Sequence, residues 1–200
     1  MMRLDLQLLA PATCGDVRMV KHLLRLGSGV NETDGQGRTP LYAASLGGHR
    51  EVVELLLREG GVQVNRPSHI GATPLLVAAA KGHEEVVGAL LRHGDTRVNR
   101  TENYSFSPLM LAAMKGHCSV VQLLLQHEGT QANEADASGA TPLHFAASRG
   151  QHEVVRLLLR HEDIQVNHFN CCYNHALQSE EYKIDGLLFK FAGSPLVIHI

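Results

Sequence analysis

Asn31, Asn65, Asn99, Asn133 and Asn167 follow one another at intervals of 34 residues. A second signal keeps the same interval: Thr39-Pro40-Leu41, Thr73-Pro74-Leu75, Ser107-Pro108-Leu109 and Thr141-Pro142-Leu143. Two interleaved signals locked to one period mark a tandem repeat. This constrains the fold more than any local propensity does. In such an array each unit touches only its neighbours, and the core grows along one axis. Function then belongs to the surface, at positions where the units differ.

The segment from Asn31 to Asn65 shows the grammar of one unit. Asn31 to Arg38 is rich in Asn, Asp and Gly, which accept the backbone conformations of a tight hairpin. Thr39 offers an N-cap hydroxyl, and Pro40 stands at the first helical position, where its missing N–H costs nothing. Leu41 to Gly47 is a short helix rich in small residues, and Gly48 suits the left-handed position that ends it. His49-Arg50-Glu51 opens a second helix, whose Val52-Val53 and Leu55-Leu56-Leu57 make an apolar face for the stack. Gly60-Gly61 closes it. The pattern recurs at Gly82-His83, Gly116-His117 and Gly150, and earlier at Gly15-Asp16.

These residues resemble the ankyrin repeat. The family signature T-P-L-H-x-A is nearly complete at Thr141-Pro142-Leu143-His144-Phe145-Ala146, and the register holds over roughly residues 6 to 170. The first unit has the usual ~33-residue spacing, and later units carry one further residue before the Asn. The resemblance implies an all-α solenoid of five helix pairs joined by short, protruding β-hairpins. Its concave groove would be lined by the hairpins and the first helices. An ankyrin domain is expected over 1–170, with units at about 6–38, 39–72, 73–106, 107–140 and 141–170. Pro11 falls where other units have a mid-helix Ala, so the first helix is expected to be short or to begin there.

Beyond residue 170 the grammar fails. A degenerate sixth unit begins around Asn167, but Glu180 and Glu181 stand where small residues are due and no Val-Val follows. Residues 171–200 are expected to be an irregular segment, loosely packed from about 178.

Composition sets limits on partners and compartment. A net charge of −2 gives no electrostatic footprint for nucleic acid. Four cysteines make no disulfide framework and fit a cytoplasmic or nuclear protein. Met1 to Ala10 carries Asp5 and no sustained apolar run, so no signal peptide is read there. No apolar run approaches the ~18 residues of a membrane span.

Thirteen histidines invite a metal hypothesis. Most recur once per unit, as His49, His83 and His117 do, too far apart to share an ion. His168, Cys171, Cys172 and His175 are zinc-type ligands, but adjacent cysteines do not have the C-x2-C geometry. No cofactor and no catalytic constellation are read; the chain is expected not to be an enzyme. The alternatives are an array portion of a larger multidomain protein, either a scaffold or an enzyme-targeting subunit, and a zinc-binding tail at 168–175.

The resemblance places partner-binding residues at the hairpin tips and late in the first helices. Here these are Arg38, Leu46, Ile70, Lys81, Asn103, Tyr104, Phe106, Met114, Lys115 and Arg149. The third hairpin stands out, because Ser105 replaces Gly and two aromatics enter. Tyr104, Phe106 and Met114 would form apolar anchors inside a basic rim of Arg38, Lys81, Lys115 and Arg149; the alternative is that Phe106 folds into the hairpin base and Tyr104 is a lone surface aromatic. The expected partner is a protein or peptide of mixed acidic and apolar character, bound by a monomer.

Overall fold

The computed structural model describes residues 7–165 and, beyond them, the backbone of three short strands. Residues 7–165 form an all-α solenoid of five helix pairs. They are α1 (Leu9–Cys14) with α2 (Val17–Arg25), α3 (Pro40–Gly47) with α4 (Arg50–Leu57), α5 (Pro74–Lys81) with α6 (Glu84–Leu91), α7 (Pro108–Lys115) with α8 (Cys118–Gln126), and α9 (Pro142–Ser148) with α10 (His152–Leu159).

The helix ends follow the chemistry of their caps. Thr39, Thr73 and Ser107 accept the N–H of Tyr42, Leu76 and Met110 at 3.1, 3.3 and 3.4 Å. Gly48, Gly82 and Gly116 end the same helices at φ 75°, 76° and 78°, where a Cβ would be strained. Helix α1 is short, as expected, with six residues. It starts at Leu9, so Pro11 lies within its first turn, where the backbone N–H has no intrahelical partner to lose.

A single core runs along the stack. Val52-Val53, Val86-Val87, Val120-Val121 and Val154-Val155 are at most 1% exposed, and Leu56, Leu90, Leu124 and Leu158 are fully buried. The first helices meet through Ala44, Ala78, Ala112 and Ala146, all fully buried. Small residues at these positions let neighbouring first helices pack close together.

Polar side chains tie each unit to the next. Nε2 of His49, His83 and His117 lies 2.8, 3.0 and 3.2 Å from the carbonyls of Thr13, Leu46 and Ala80. Asn31 donates to the Gly61 carbonyl at 2.8 Å and accepts the Gln63 N–H at 2.8 Å. Asn65, Asn99 and Asn133 repeat this pair of bonds one unit further each time. The two sequence beats are therefore the capping residues and the inter-unit ties.

The connections that project from the stack, here called fingers, lie where β-hairpins were expected, and no strand is found in them among the described residues. Each finger is a turn closed by two backbone bonds. In the first, Asp34 N–H donates to Arg38 O at 3.2 Å and Gly37 N–H to Asp34 O at 3.0 Å. Two bonds over five residues are too few for a ladder.

Strands β1 (Glu181–Ile184), β2 (Leu187–Lys190) and β3 (Val197–His199) pair antiparallel in that order, with Tyr182 opposite Phe189 and Phe189 opposite Ile198. Most of the segment expected to be irregular lies outside the described residues. So do the sixth-unit start and the zinc candidate at 168–175.

Candidate functional site

The face on which the partner-binding residues are expected is built from four fingers and the exposed ends of the first helices. Asp34 shapes the first finger, its Oδ1 accepting the N–H groups of Gln36 and Arg38, both at 2.9 Å. Asp136 repeats this in the fourth finger with Ser138 and Ala140, at 2.9 and 2.8 Å. Neighbouring fingers are stitched by single backbone bonds: His69 N–H to Gln36 O at 2.9 Å and Asn103 N–H to Ile70 O at 3.2 Å. The equivalent bond from Ala137 to Tyr104 is absent among the described residues.

The expected partner-binding residues fall into three groups. Ile70 and Tyr104 stand free at finger tips, 56% and 74% exposed. Asn103 beside them is exposed and holds finger two through both its N–H and its side-chain amide, which donates to His69 O at 3.4 Å. Phe106 and Met114 are half-buried and pack together with Met110, Ala140 and Phe145. The Phe106 ring meets Phe145 edge-on, at 5.4 Å between centroids and 73° between planes. The structure thus brings Phe106 and Met114 together, and leaves Tyr104 outside their cluster. Leu46 is half-buried against a separate cluster containing Tyr42 and Val77.

The basic residues divide as well. Arg38 is bound to Asp34, with Nε at 2.7 Å and Nη2 at 2.6 Å. Burial works to raise the Asp34 carboxyl, but the Arg38 side chain and the backbone N–H groups of Arg38 and Gln36 outweigh it and hold the group below its ordinary 3.8. Lys81, Lys115 and Arg149 are exposed and form no ion pair among the described residues. Several arginines on or capping the later second helices do pair. Arg50 and Arg92 share Glu54 at 2.9 and 3.7 Å, and Arg156 meets Glu153 at 3.3 Å.

Two features escaped the sequence reading. One is Phe145, which is buried in a cluster with Met110 and Ala140 and meets the Phe106 ring. The other is a cavity of about 210 Å³ between units one and two, walled by Leu9, Thr13, Arg38, Ala43, Leu46 and Gly47. Both arise at one repeat position, occupied in turn by Ala43, Val77, Leu111 and Phe145. That series of increasing size was legible at the repeat interval. Its consequence depended on knowing that the position faces the groove.

Among the described residues no three His, Cys, Asp or Glu side chains converge as metal ligands. No helix there is long and apolar enough to cross a membrane. The family model for ankyrin repeats (3 copies) matches residues 8–102 and 92–170.

Proposed function

The chain belongs to the ankyrin-repeat family, and from that premise we propose that it binds a partner protein or peptide in its concave groove without catalysing a reaction. Ankyrin repeats are in general protein–protein interaction modules and typically non-catalytic. The observation that carries the groove reading is Tyr104, 74% exposed at the tip of the central finger. A large aromatic left in water costs free energy that a binding pocket on a partner recovers, and tyrosine is a frequent interface anchor. Ile70 stands beside it, one finger earlier.

The unpaired Lys81, Lys115 and Arg149 favour a partner that is acidic as well as apolar. The net charge of −2 argues against nucleic acid. The free thiols of Cys14 and Cys118 suit the cytosol or nucleus, and the reading has the module acting as a monomer.

Tyr104→Ala is the clean test, because Phe106 also supports the fold through Phe145. Affinity capture from the native source, with wild-type and variant protein side by side, identifies the partner and measures the effect. A loss of about 2 kcal/mol, roughly 30-fold, is expected. Undiminished capture by a folded variant overturns the groove as the binding surface.

A further inference from the structure

The groove carries a linear register. Lys81, Lys115 and Arg149 occupy one equivalent position in three successive units, each exposed and each free of an ion pair among the described residues. The unit before them has Gly47 at that position, and Gly47 walls the apolar cavity of about 210 Å³. Read from unit two to unit five, the surface offers one apolar hole and then three cations in single file. Packed helices lie about 8–10 Å apart, so these four features recur at intervals of roughly 10 Å.

We infer that the groove selects a linear segment with one bulky apolar side chain followed by three carboxylates at about 10 Å intervals. This rests on the groove reading above and narrows it to a motif. The charges are complementary, since an acidic residue meets an unpaired cation at each step and need not displace an existing partner. The hole accepts an apolar side chain because small Ala43 lines it. At the other end of the groove Phe145 occupies the same repeat position and fills it, so the anchor is placed at the unit-two end. In a polyproline II segment three residues advance about 9 Å and return to the same face. The motif in that form is Phe at position one with Glu at positions four, seven and ten.

The probes are two synthetic peptides of identical composition on a proline backbone. One has Phe at position one and Glu at four, seven and ten. The other has Phe at position one and the three Glu contiguous at the far end. The spaced peptide is expected to bind at least fivefold more tightly, and added salt should weaken it. Lys81→Glu, Lys115→Glu and Arg149→Glu should each lower its affinity roughly three- to tenfold. Replacing the peptide Phe by Ala should lose affinity in wild-type protein. That loss should vanish in Ala43→Phe, and also in Thr13→Trp, which fills the hole from an exposed position should Ala43→Phe disturb packing.

Equal binding of the two peptides, with the charge reversals still weakening both, overturns the register but leaves the groove reading. Reversals that change nothing overturn both. Binding of neither peptide to the folded protein overturns the register, and the Tyr104→Ala capture then decides the groove separately.

Discussion

Ala43 and Phe145 hold the same repeat position in units two and five, yet their surroundings are opposite. Ala43 walls a cavity of about 210 Å³, and Phe145 packs edge-on against Phe106 at 5.4 Å. The method of joining fingers changes along the same direction. Backbone bonds stitch the first three fingers. Between the third and fourth no such bond is found among the described residues, and an aromatic contact from Phe106 to Phe145 stands in its place. One scaffold therefore leaves a cavity at this repeat position in unit two and fills it in unit five. Side-chain volume at a single position accompanies the difference, together with the change in how the fingers are joined.

Removal of the aromatic filling is the strongest way to break this comparison. Phe145 is 7% exposed, and Phe145→Ala should cost about 3–5 kcal/mol. Val77→Ala, at the same position two units earlier, should cost distinctly less. Denaturant melts showing equal losses would mean that the filled end is not a packing centre of its own.

The open end contains a defect that sharpens the contrast. Ser45 is fully buried and its hydroxyl has no hydrogen-bond partner among the described residues. The equivalent positions in the following units are Ala79, Ala113 and Ala147. Ser45→Ala should stabilise the protein by about 1–3 kcal/mol, because it removes an unsatisfied buried polar group. A destabilised variant would show that the hydroxyl has a water or protein partner.

The third finger marks the transition between the two ends. Ser105 sits at φ 66°, where its counterparts are Gly37, Gly71 and Gly139 at 72°, 82° and 83°. A left-handed conformation costs a residue with a Cβ roughly 1–2 kcal/mol, so Ser105→Gly should raise stability by about 1 kcal/mol. The converse change, Gly71→Ser, should cost more than that, because its Cβ would come within 2.5 Å of the Asn103 side chain. Equal thermal melts for wild type and Ser105→Gly would mean that the surrounding finger compensates for the strain.

The smallest expected effect depends on pH. Burial pushes the Glu134 carboxyl above its ordinary 4.5, and its Oε2 has no partner among the described residues. An acid with a raised folded pKa favours the folded state while protonated. That contribution is complete below the unfolded value and is lost as pH rises through the folded one. Glu134→Gln should therefore be more stable than wild type at pH 7, and the gap should close as pH falls below 4.5. A gap independent of pH would assign the effect to packing.

The repeat, its caps and its core could be read from the sequence because each rests on local chemistry at a fixed interval. Thr39, Pro40 and Gly48 specify a helix start and stop wherever they occur in that order. The Val-Val pairs specify a buried face in the same local way. The candidate site was legible only in part. Finger tips could be located from the period, and Tyr104 is exposed at the tip, one of the expected positions. Whether Phe106 would join the anchors or fold into the finger base stayed open in the sequence, because its partner Phe145 is 39 positions away and the two meet only once two units stack.

The sequence by itself determined the architecture, since a solenoid is the sum of local units and nearest-neighbour contacts, both encoded within about one period. Tertiary structure decided which variable positions face outward. It paired Arg38 with Asp34, left Lys81, Lys115 and Arg149 without acidic partners among the described residues, and kept a hole beside Ala43 while Phe145 filled the equivalent position. Pairing and cavity formation depend on distances between side chains from different units, and those distances exist only after the units have packed.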